Sequence, residues 1–172
     1  LLGERSVFAH GVHLCDDECQ RLAETGSAVA FCPTSNLFLG SGLFNLPQAE
    51  RFKVNVGLGT DVGAGTSFSL LNTLNEAYKV MQLQGARLHP YKSLYLATLG
   101  GARALRLDDR IGSLRPGNDA DFVVLDYKAT PLLDYRIQQS NSIEETLFVL
   151  TTLGDDRTGR ETYAAGRCGH QR

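Results

Sequence analysis

No stretch of this 172-residue chain approaches the roughly 18 continuous apolar residues that a membrane-spanning helix requires. The N-terminus also lacks the charged region followed by an apolar one that marks a secretory signal. A soluble protein is expected. An excess of one charge is missing too: 17 basic and 19 acidic residues give a formal charge of -2, and neither half carries a basic block. No nucleic-acid and no membrane partner is therefore expected. Four cysteines, Cys15, Cys19, Cys32 and Cys168, are too few and too irregularly placed for a disulfide scaffold, which points to a reducing, cytoplasmic compartment. Cys15 and Cys19 stand four apart, as half of a metal site would, but no second pair exists and two ordinary thiols are the better reading. Internal repeats and low-complexity segments are absent.

What is present alternates. "SVFA" at 6–9 is short, apolar and β-prone, and "DDECQRLAETG" follows with acids at its start, periodic apolar positions and a terminal glycine, the pattern of a strand and then a helix. "SAVAFCP" is a second strand, with a loop and a short helix near Leu46 to Phe52 after it. "KVNVGLGT" is a third, followed by a long helix over "SLLNTLNEAYKVMQLQG" with Leu70, Leu71, Leu74, Ala77, Tyr78 and Met81 at helical spacing. Three such alternations imply a parallel sheet. One further helix is expected over "PYKSLYLATLGGARALRL", and near Asp109 the composition changes. Beyond it, Phe122 to Leu125 reads as a strand of an antiparallel structure, 143–153 as a helix capped by Ser142, and "RETYAAGR" as a closing strand. Because the chain opens on Leu1 and runs into an apolar strand almost at once, it reads as the C-terminal piece of a longer protein.

"NVGLGTDVGAGTS", residues 55–67, raises the question of function. A dinucleotide loop needs G-x-G-x-x-G so that backbone N–H groups meet a pyrophosphate. Gly57 and Gly59 fit, but the third position is Val62, and Asp61 would direct negative charge at the phosphate. The competing reading puts Asp61 at the C-terminal end of a buried strand, where parallel α/β enzymes carry their catalytic groups. A helix N-cap or loop aspartate is the bland alternative. "SVFAHG" delivers His10 to an equivalent strand end, and "FCPTSN" places Cys32 at another, with Thr34, Ser35 and Asn36 as loop hydrogen-bonders. Asn36 is expected to brace that loop rather than touch a substrate. A histidine and an aspartate together suit a hydrolytic metal centre, since zinc lowers the pKa of bound water to roughly 7 and a carboxylate can take its proton. His13 is three residues from His10, wrong for the same face of a strand, while His89 and His170 fall in a loop and a tail. The chain thus offers one convincing ligand where zinc wants about three.

These residues resemble the amidohydrolase superfamily, and within it the guanine deaminase family. The resemblance runs from about Ser6 to Arg167 and is carried by "AHG" at 9–11, "CPTSN" at 32–36, "GLGTDVGAGTS" at 57–67, "LATLGGARAL" at 96–105 and "GSLRPGNDADFVVLD" at 112–126. "GTDVGAGTS" and "LGDDR" at 153–157 pull it toward guanine. It implies an α/β fold, the C-terminal part of a TIM-like (β/α)8 barrel plus part of a small β-sandwich. Residues 1–109 would supply the last three barrel strands and their helices, and 110–172 the sandwich portion with a helix. By the same resemblance Asp61 binds zinc, or another divalent metal, and shuttles the proton. His10 stands beside the metal and orients or polarises the attacking water. The remaining ligands and an acid–base glutamate would lie before Leu1. The implied reaction is hydrolysis of guanine to xanthine and ammonia in a homodimeric full-length protein, with the isolated piece inactive. Another amino-heterocycle (8-oxoguanine, an aminotriazine or an adenosine-type ring) and a non-catalytic scaffold are the alternatives. The terminal "CGHQR" departs from the family pattern, as a frayed strand or a non-native end would.

Overall fold

The computed structural model describes residues 1–172. Three short strands, β1 (Val7–Ala9), β2 (Ala28–Phe31) and β3 (Asn55–Leu58), form a parallel sheet in that order. Val29 pairs with Phe8 on one side and Val56 on the other. Helix α1 (Asp16–Glu24) connects the first pair; α2 (Pro33–Leu39) and α3 (Leu46–Arg51) connect the second. Val29 and Phe31 of the central strand are fully buried, and pack in one apolar cluster with Leu22 of α1, Leu46 of α3 and Val56 of β3. The cluster also takes in Ala77, Val80 and Met81 of α4 (Leu70–Leu83) and Leu96 of α5 (Pro90–Ala97). The edge strand β1 is different: Val7 and Phe8 remain exposed.

Two helical expectations are corrected. Residues 33–39 form α2, not a loop. Pro, Thr, Ser and Asn are turn formers, but here Pro33 occupies the first helical turn and Gly40 closes the helix at φ 67°, the start and stop signals of a helix. The single helix expected over 90–107 is two, α5 and α6 (Leu99–Ala104), broken at Thr98 with φ -128° and ψ -100°. The break lets α6 lie directly on β3. A Cβ added at Gly57 would stand 2.9 Å from the Cα of Gly101, so the glycines of the motif permit strand-to-helix backbone contact.

The second sheet is antiparallel, β4 (Phe122–Leu125), β5 (Gly159–Ala164) and β6 (Arg167–Gln171), in that order. Its last strand takes in most of "CGHQR": Cys168 pairs with Tyr163 and His170 with Thr162. The terminus is therefore neither frayed nor a tail. Between β4 and β5 lie α7 (Pro131–Gln138) and α8 (Ile143–Leu153), packed through Leu133, Val149 and Leu150. Ser142 caps α8 by accepting the N–H of Glu145 at 3.1 Å. Helix α7 was not anticipated, although Thr130 as cap and Pro131 after it are ordinary start signals.

Candidate functional site

The three parallel strands end on one rim, and His10, Cys32 and Asp61 follow β1, β2 and β3 there. Outer strands of a three-stranded sheet stand about 10 Å apart, so side chains must lean over the central strand to meet. They do: His10 Nε2 lies 3.7 Å from Asp61 Oδ2, and the two side chains are 40% and 37% exposed. Both residues hold left-handed backbone, φ 72° at His10 and 47° at Asp61. For non-glycine residues that conformation costs about 1–2 kcal/mol each, a strain that folds keep at sites where a side chain must be aimed.

Local hydrogen bonds hold each residue. The His10 N–H donates to the Ala30 carbonyl at 2.9 Å, tying it to β2. The Asp61 carbonyl accepts the N–H groups of Ala64 and Gly65, at 3.2 and 2.6 Å, leaving its carboxylate free to face His10. Gly65 has no alternative here, since a Cβ would collide with the Thr60 carbonyl oxygen. The glycines of residues 55–67 thus serve packing and a tight turn that Asp61 opens, and the phosphate-loop reading loses its basis.

Cys32 sits beneath the pair. Burial pushes its thiol pKa up, the backbone contact at His10 opposes this, and the Asp61 carboxylate raises it further. The thiol donates to the Ala30 carbonyl at 3.3 Å. Cys19 is buried in the core and Cys15 exposed at the start of α1. His89 accepts the Tyr91 N–H at the start of α5 and approaches Glu144 at 3.0 Å. Asp155 of "LGDDR" spends its carboxylate on Arg157, side chain and N–H alike.

Asn36 was expected to brace a loop. Instead it is buried on α2 and its Oδ1 lies 2.9 Å from His10 Nδ1. The sequence held a partial signal, an asparagine close behind the second strand end, but nothing in it paired positions 26 apart. Thr34 Oγ1, Ser35 Oγ and Asn36 Nδ2 are buried without partners, three adjoining polar groups each carrying a desolvation cost of about 1–3 kcal/mol. A polar cleft of about 460 Å³, lined by Thr34, Thr66, Ser67, Asn72, Asn75 and Glu76 among others, lies between α2 and the segment after Asp61. The larger cavity, about 790 Å³, is lined by Arg87, His89, Arg136 and Glu144 and touches neither His10 nor Asp61. The two residues held in left-handed backbone, His10 and Asp61, stand instead at the strand ends.

A histidine and a carboxylate convergent at the C-terminal ends of parallel strands define an α/β enzyme rim. The amidohydrolase family model matches residues 1–167, and the chain belongs to that family. It is 59% identical over its whole length to the guanine deaminase of Escherichia coli K12. It spans 39% of that relative. The E. coli guanine deaminase structure superposes with a TM-score of 0.98, covering all of this chain and 40% of its own. A zinc-bound adenosine deaminase structure from Xanthomonas campestris is 30% identical, with a TM-score of 0.87 over 99% of this chain and 38% of its own.

Members of this family are generally metal-dependent, which makes the donor set here the relevant test. No three His, Cys, Asp or Glu side chains of this chain converge as a metal site would require. The rim supplies Asp61 and, beside it, His10, short of the roughly three protein ligands of a zinc centre. These residues alone do not hold the metal.

Proposed function

We propose that the complete protein carrying this chain hydrolyses guanine to xanthine and ammonia. The observation that carries the reading is the His10–Asp61 pair, set at parallel strand ends in a chain 59% identical throughout to a guanine deaminase. Water adds at C2 of the purine, the tetrahedral carbon collapses, and the exocyclic nitrogen leaves as ammonia. Asp61 takes the proton the water loses and passes it on, so that the nitrogen departs protonated and Asp61 ends as it began. His10 orients that water. A divalent metal, zinc by the family pattern, would supply Lewis acidity, with Asp61 as the ligand this chain contributes and the rest of the donor set from elsewhere.

In this reading residues 1–109 are the last three strands and helices of a TIM-like (β/α)8 barrel, and 110–172 complete a small β-sandwich. The exposed apolar edge at Val7 and Phe8 supports it, because barrel closure covers such an edge. Four free thiols support a reducing, cytoplasmic setting, and no helix is long and apolar enough to cross a membrane. A homodimer of the complete protein is part of the same proposal.

The test is ammonia release from guanine by the complete protein, with and without chelation, beside Asp61→Asn. Turnover should require metal and fall by about 10²–10⁴-fold in the variant, the range of a lost acid–base group. Undiminished turnover in Asp61→Asn would refute the role of Asp61. Preference for adenosine or an aminotriazine in the same assay would move the substrate.

A further inference from the structure

We propose that Asn36 is the positioning residue for His10: its side-chain oxygen takes the Nδ1–H of the imidazole and so presents Nε2 to the reacting side. This deepens the deaminase reading and rests on it for the kinetic consequence alone. An amide oxygen only accepts hydrogen bonds, so the 2.9 Å contact between Asn36 Oδ1 and His10 Nδ1 puts the proton on Nδ1. The other ring nitrogen is the one that faces Asp61, at 3.7 Å.

Asn36 has no other employment. Its main chain is already satisfied, the N–H by the Cys32 carbonyl at 3.0 Å and the carbonyl by the Ser41 N–H at 2.9 Å. Its Nδ2 is buried without a partner. An asparagine kept to brace backbone would use that donor on backbone; this one makes a single side-chain bond, to the histidine. Turning the imidazole over would set a C–H against a buried oxygen and leave that acceptor unpaired, which is unfavourable on a residue only 1% exposed. The Nδ1–H form is also the one a neutral histidine side chain disfavours in water, so its presence would report the asparagine directly.

The experiment is long-range ¹H–¹⁵N spectroscopy of the complete protein labelled with [¹⁵N]histidine, at a pH where imidazole is neutral, with His10 assigned by its loss in His10→Gln. His10 should be the Nδ1–H tautomer in the unaltered protein and revert to Nε2–H in Asn36→Leu. In parallel, Asn36→Leu should lower kcat by about 10–100-fold with KM within about twofold, the usual effect of removing an outer partner of a site histidine. Asn36→Asp keeps an oxygen acceptor and should retain most of kcat. An Nε2–H tautomer in the unaltered protein overturns the proposal. So does a folded Asn36→Asp as impaired as Asn36→Leu. Should the protein not act on guanine at all, the tautomer still decides the matter, so the two failures are separable; should Asn36→Leu fail to fold, the unaltered spectrum and Asn36→Asp remain.

Discussion

Replacing Gly57 with alanine should cost stability and activity together, whereas the same change at Gly101, the residue it faces, should cost neither. A Cβ at Gly57 would stand 2.9 Å from the Gly101 Cα, against the 3.4 Å at which ordinary contact begins, so strand and helix must part by at least 0.5 Å. The obstruction is backbone, which cannot rotate away as a side-chain tip would. Overpacking of this kind costs about 1–3 kcal/mol. A Cβ at Gly101 points elsewhere and meets only the Leu96 carbonyl oxygen, at 3.7 Å. Inside a helix that replacement should be neutral or stabilise by up to about 1 kcal/mol. Displacing β3 also moves Asp61, four residues on; since an error of 1 Å can cost about 100-fold in rate, half that distance should cost on the order of tenfold. Denaturant midpoints of the complete protein and guanine turnover read both effects. Equal destabilisation by Gly57→Ala and Gly101→Ala, or none by Gly57→Ala, would refute the contact.

The 172 residues expressed alone should neither release ammonia from guanine nor take up zinc stoichiometrically, because their donors at the rim number too few; turnover by this chain would sink the proposed division of the site. The Arg157 guanidinium holds the Asp155 carboxyl below its ordinary 3.8. A depressed carboxyl contributes stability above its unfolded pKa and loses it as pH falls through the folded one, so Asp155→Asn should lower the denaturation midpoint at neutral pH by a small amount. Solvent screening keeps that below about 1 kcal/mol, and the gap between variant and parent should close below pH 3.8. A gap that persists in acid would count against the ion pair.

The two strand-end residues were legible because a polar side chain closing a short apolar run has few places to go but the rim. The alternation of strand and helix was legible for a similar reason: periods of 2 and 3.6 are set by local backbone geometry. Where local signals conflicted, the reading failed. "PTSN" carries turn formers, yet Pro33 and Gly40 bracket a helix, and burial of Thr34, Ser35 and Asn36 came from the neighbours they pack among. The break at Thr98 likewise answers to β3, since α6 must bring Gly101 against Gly57.

By itself, then, the sequence determined the parallel α/β unit, the antiparallel strand at Phe122–Leu125, and the candidate pair His10 and Asp61, all of which follow from residue type and local period. Only the tertiary structure decided that the pair meets across β2, that Asn36 turns its amide to the imidazole, and that the glycines before Asp61 serve contact and not phosphate. Those facts depend on distances between residues far apart in the chain, and such distances exist only once the strands have paired and the helices have packed upon them.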